Sequence, residues 1–72
     1  MLHNRSLVES AAAVLDVPTR ILFEKAYEAW FRLPPDEDCQ LAYARYVRSP
    51  GFDPILPSWL TQFAKQTLTE AI

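Results

Sequence analysis

Apolar residues recur every three to four positions through most of the chain, and the breaks in that rhythm fall at prolines. Such a pattern predicts short helices joined by proline-marked turns. No stretch alternates with the period of two that a half-buried strand would need. The first helix has a start signal in Ser6-Leu7-Val8-Glu9, a capping box in which the Ser6 hydroxyl accepts from the Glu9 amide. Leu7, Val8, Ala11, Val14 and Leu15 then share one face. Asp16-Val17-Pro18 ends it, because proline pushes the preceding residue out of the α region.

The second helix, about Thr19 to Leu33, organises the rest. Asp16 or Val17 is its expected cap, with Pro18 near the first turn, where a missing N–H is harmless. At 100° per residue, Glu24, Lys25, Glu28 and Arg32 fall in one polar stripe. Leu22, Phe23, Ala26, Tyr27, Ala29, Trp30, Phe31 and Leu33 fill an arc of roughly 200°, about twice what a surface helix needs. This helix is therefore expected either to be sandwiched between two others or to be covered by a second chain. Trp30, opposite the polar stripe, is expected among the most buried residues.

Leu33-Pro34-Pro35 closes the second helix and Asp36-Glu37-Asp38 opens a third, running to about Arg48. Acids at its start and Arg45 and Arg48 at its end suit the helix dipole. Cys39, Tyr43, Tyr46 and Val47 form its expected inward face. Ser49-Pro50-Gly51 breaks it with the chain's single glycine. A stiff connector carrying Pro50, Pro54 and Pro57 follows, with Phe52, Ile55 and Leu56 expected to pack inward. A last helix begins near Pro57-Ser58, its apolar face made by Trp59, Leu60, Phe63, Ala64 and Leu68. The fold class is all-α: residues 1–72 form a single helical domain, a compact bundle of three to four short helices around a central second helix, with residues 1–5 frayed.

Composition narrows the chemistry. Half of the 72 residues are hydrophobic, enough for a core, though at this length a core alone is near its lower limit. Cys39 is the single cysteine and His3 the single histidine, so neither a disulfide nor a metal site is expected. Seven basic against nine acidic residues leave a net charge of −2, which offers no footprint for phosphate backbones or anionic lipids. No apolar run approaches a membrane span, and the first ten residues lack the apolar core of a secretory signal. The Asn4-Arg5-Ser6 sequon reads as chance, and the expected compartment is the cytoplasm.

The remaining motifs have plain explanations. Asp36, Glu37 and Asp38 point about 100° apart and read as a solvated helix start, not a converging catalytic cluster. Cys39 reads as a small buried hydrophobe; the helix dipole that could activate its thiol is opposed by those acids. Pro54-Ile55-Leu56-Pro57 has the spacing of a polyproline ligand but, between Phe52 and Trp59, reads as a packed connector. The nine aromatics share the aliphatic faces and read as core, while the tyrosines and tryptophans also suit an interface. No catalytic residue, cofactor or small-molecule site is expected.

The run Ala12-Ala13-Val14-Leu15-Asp16-Val17-Pro18-Thr19-Arg20-Ile21-Leu22 resembles the bacterial helix-turn-helix pattern. The resemblance spans residues 7–27, under a third of the chain. It implies buried roles for Ala12, Leu15, Val17 and Leu22, with Asp16 in place of the turn glycine, and DNA contacts from Thr19, Arg20 and Lys25. Glu24 and Glu28 on the same helix oppose that use, and Arg20–Glu24 and Glu28–Arg32 are spaced to pair locally. The expected function is therefore a non-enzymatic protein-interaction module, binding a protein partner or itself through Phe23, Tyr27, Phe31 and Leu41. A small DNA-binding regulator is the alternative, and scattering of Arg20 and Lys25 away from Arg5, Arg45 and Arg48 would favour the interaction reading.

Overall fold

The computed structural model describes residues 3–71. Four helices follow in order, α1 (Asn4–Leu15), α2 (Thr19–Phe31), α3 (Glu37–Arg48) and α4 (Ser58–Glu70), and no strand occurs among the described residues. Helix α2 packs against all three others; α4 also lies along α1, whereas α3 lies along α2 and touches α1 near its C-terminal end through Arg5. The expected central, sandwiched second helix is thus present. Its inner residues Leu22 and Phe23 are fully buried, with Val8 and Leu60 beside them in the core. The Phe23 ring meets Tyr43, Tyr46 and Trp59 at centroid distances of 5.2, 5.4 and 6.3 Å. One α2 side chain therefore ties α3 and α4 together.

The helix starts differ from expectation at α1. The capping box is not used: α1 begins at Asn4, with His3 at the cap position and no side-chain cap of its own. Asp53, in the α3–α4 connector, does the capping. Its Oδ1 accepts from the Asn4 N–H at 2.9 Å and its Oδ2 lies 3.1 Å from His3 Nδ1. Asn4 Nδ2 donates to the Pro54 carbonyl and the Arg5 N–H to that of Phe52, both at 2.9 Å. Residues 3–5, expected to fray, are thus held by hydrogen bonds; residues 1 and 2 lie outside the described segment. A tertiary acceptor has displaced the local one, leaving Ser6 inside the helix.

Arg5 joins α1 to the end of α3. Its Nε donates to Gly51 O at 2.9 Å, and its Nη2 to Ser49 O at 2.6 Å and Tyr46 O at 3.3 Å. The guanidinium lies 4.7 Å from the Tyr46 ring centroid. A cation here suits carbonyls clustered at and just beyond the C-terminal end of α3. Gly51 has φ of +89°, a conformation that costs a side-chain-bearing residue energy, and its carbonyl turns toward Arg5.

Between α1 and α2, Asp16 takes the left-handed conformation with φ 56°. Its N–H donates to Ala13 O and that of Val17 to Ala12 O, the paired bonds of a Schellman turn. Asp16 therefore ends α1 and does not cap α2, whose cap position is Pro18. Arg32, with φ 57°, closes α2 at Phe31, two residues before the expected end; Pro34 forces Leu33 out of the helix and Arg32 absorbs the turn. Helix α3 starts as expected, Asp36 Oδ1 accepting from the Asp38 N–H at 2.9 Å.

Several core expectations are corrected. Trp30 is 53% exposed. It and Leu15 lie in the last turns of their helices, where each lines an open depression beside α4. Val14 sits at the edge of the α1 face and is exposed, and Ala12 is buried in its place. Val47 lies about 100° on from Tyr46 and is exposed, leaving Cys39, Ala42, Tyr43 and Tyr46 as the inward face of α3. In the connector, Phe52 and Ile55 point outward and Pro54 is buried, with Leu56 half-buried against the core. Hydrogen bonds from Asn4 and Arg5 fix the connector backbone, so its side chains go where that backbone sends them.

Candidate protein-contact surface

The last turns of α1 and α2 meet α4 in one continuous apolar strip. Three adjoining depressions share Ala29 and Phe63 as common walls. Val14 and Leu15 extend the strip along α1, and Trp30 and Trp59 extend it across α2 and α4. Phe31 continues it, with its ring 6.3 Å from Trp59 and 4.5 Å from Tyr27. Lys25, Glu28, Gln62, Gln66 and Glu70 rim it. An apolar surface with a polar rim is the general form of a protein-contact site.

Of the four residues expected at an interface, two are available and two are not. Phe31 is 42% and Leu41 50% exposed, whereas Phe23 and Tyr27 are buried in the core. Burial takes those two because α3 and α4 close over them from either side of α2, as the ring contacts of Phe23 and Tyr27 show. Desolvation, aided by the Asp36 carboxylate, pushes the Tyr27 hydroxyl pKa upward. Leu41 lies off the strip, in a neighbouring groove of about 560 Å³ between α3 and the connector that also holds Asp38, Arg45 and Ile55 and borders the strip at Trp59.

The residues expected to contact DNA do not converge. Arg20 opens on a depression between α2 and α3, and Lys25 on one between α1, α2 and α4. Arg20 pairs with Glu24 at 3.8 Å, and the Thr19 hydroxyl lies 3.5 Å from the Tyr43 hydroxyl. Arg5 is occupied by the carbonyls at the end of α3. Within the helix-turn-helix-like segment, Ala12 and Leu22 are buried and Val17 packs on the core, but Leu15 is exposed.

Cys39 is buried. Burial, reinforced by Glu24, Asp36 and Glu28, pushes its thiol pKa up, the opposite of what a nucleophile needs. Among the described residues no group of three or more His, Cys, Asp or Glu side chains is placed to hold a metal ion. No helix among them is long and apolar enough to cross a membrane.

Sequence reasoning missed the strip because helical periodicity reports the angle of a residue around its helix and not its depth along it. It missed Asp53 and Arg5 because their partners lie more than forty residues away, beyond any local motif. Comparison with known proteins finds no matching family model, no matching curated protein and no matching solved structure.

Proposed function

We propose that this chain is a small, non-enzymatic protein-interaction module of the cytoplasm that presents its apolar strip to a protein partner. The observation that carries this reading is the continuity of exposed Val14, Leu15, Trp30 and Phe31 with half-buried Trp59 and Phe63. Large aromatics at the centre of a polar-rimmed patch are the side chains that supply most binding energy at protein interfaces. Affinity capture from the native cell lysate tests it, using the full chain and the double variant Val14→Ser/Trp30→Ser. Both residues are about half exposed, so the variant keeps the fold. A discrete partner held by the parent chain and lost by the variant is the expected result. An identical captured set from both would refute the reading.

A small helix-turn-helix regulator is the second reading. What favours it is the three-residue turn between α1 and α2, with Asp16 in the left-handed conformation, the kind of tight junction such motifs use. The separation of Arg20 from Lys25 weighs against it.

A further inference from the structure

We infer that α3 pairs antiparallel with α3 of a second copy of this chain. The inference shares with the proposed function the premise that exposed apolar side chains are contact surface, but it concerns a different face. Helix α3 packs along α2 and meets α1 only near its C-terminal end, at Arg5. Its exposed stripe carries Asp38, Leu41 and Arg45, which with half-buried Ala42 at the stripe's inner edge form one wall of the 560 Å³ groove, and Ile55 rises from the opposite wall, 95% exposed. Charge is divided along the helix: Glu37 and Asp38 stand in its first turn, Arg45 and Arg48 in its last. The ion pairs among the described residues are His3–Asp53 and Arg20–Glu24, so none of these four charges is paired with an opposite charge of a described residue within 4.0 Å.

That arrangement is self-complementary in one orientation only. A twofold axis crossing α3 between Leu41 and Ala42 sets Asp38 of each copy against Arg45 of the other, and Leu41 against the small Ala42. Seven residues separate Asp38 from Arg45, about 10 Å along the helix, so both pairs flank the axis closely. A parallel pairing would set acid against acid and arginine against arginine. An isologous contact uses the same patch twice and closes on itself. Each copy's Ile55 then covers the edge of the partner's groove, and the aromatic strip of each copy stays free.

Sedimentation equilibrium on the full chain tests this. The expected result is a reversible dimer with a Kd on the order of 10–100 µM, as suits an interface at the small end of the range, weakened by salt. Asp38→Arg and Arg45→Glu alone should each weaken it roughly tenfold or more, since each replaces two attractions by two repulsions. An equimolar mixture of the two variants should restore association, because the mixed dimer has an acid facing a base at both positions. Far-UV circular dichroism checks that each variant folds. Ile55→Asp, at a position too exposed to matter to the fold, should abolish the dimer with the α3 charges intact. Val14→Ser/Trp30→Ser should leave it unchanged, which separates this inference from the proposed function. A monomer mass for the parent chain up to about 1 mM, well above the expected Kd, would overturn it. Failure of the mixed variants to associate, or an undiminished dimer in Ile55→Asp, would do the same.

Discussion

Replacing Arg5 by Ala should destabilise this domain markedly although the side chain is not fully buried. The guanidinium makes two short hydrogen bonds, to Gly51 O and Ser49 O, and a longer one to Tyr46 O. It also covers the Tyr46 ring at 4.7 Å. Each short bond has a net worth of about 1 kcal/mol and the ring contact about 0.5–1 kcal/mol. Water can replace part of this at the exposed Gly51 carbonyl, which brings the expected loss to about 2 kcal/mol. For a domain of this length that lowers Tm by roughly 8–16 °C. Arg5→Lys should recover part of the loss, because an ammonium can reach one carbonyl but cannot span three. Urea unfolding of the three proteins, with equal slopes, measures the differences directly. If Arg5→Ala melted within about 2 °C of the parent, roughly the 0.5 kcal/mol scatter of neutral surface substitutions, the link from α1 to the end of α3 would be refuted.

Other consequences can be checked with the same preparations. Phe23→Ala should cost about 3–5 kcal/mol, most of the stability available to so short a chain, whereas half-exposed Trp30→Ala should cost less than about 2 kcal/mol; equal losses in urea unfolding would contradict the burial pattern. The Asp53 pKa is lowered, first by the Asn4 N–H and then by His3. Its contribution is therefore present above the ordinary carboxylate value of about 3.9 and is lost as pH falls through the lower folded value. Asp53→Asn should accordingly flatten stability against pH in that acid window, and an unchanged slope would argue against the cap. Cys39 should react with a thiol reagent at neutral pH only slowly until urea unfolds the chain; rapid labelling of the folded protein would show that the thiol is not buried. Duplex DNA at low salt should bind weakly and without sequence preference, and sub-micromolar binding abolished by Arg20→Ala/Lys25→Ala would favour the regulator reading.

The helices were legible because their breaks are chemical: Pro18 directly precedes α2, Pro34 stands in the middle of the α2–α3 junction, and Pro50-Gly51 follows α3 by two residues. The breadth of apolar residues on α2 also revealed that more than one element must cover it, and three do. Depth was not legible. Leu15 and Trp30 carry the same periodic signature as Ala11 and Ala26 but, one turn further along, line open depressions beside α4 and stay exposed. Contacts distant along the chain were equally hidden: Ser6-Leu7-Val8-Glu9 satisfies every local rule for a helix start, yet the cap falls three residues earlier, at His3, where Asp53 supplies the acceptor. For the candidate site, the excess of apolar surface could be read from composition and periodicity. Its address could not, so Phe23 and Tyr27 were expected on a surface whose real constituents include Val14, Leu15 and Trp30.

The most direct test of the strip as a protein-contact surface is site-specific photo-crosslinking in living cells. A photoreactive aromatic residue replaces Trp30 in one version of the full chain and the exposed Glu9 of α1 in another. A partner docked on the strip predicts a discrete covalent adduct from position 30 that is lost when Val14→Ser is added, and no such adduct from position 9. Equal adducts from both positions, or none from position 30 in a chain that is folded and expressed, would contradict the account.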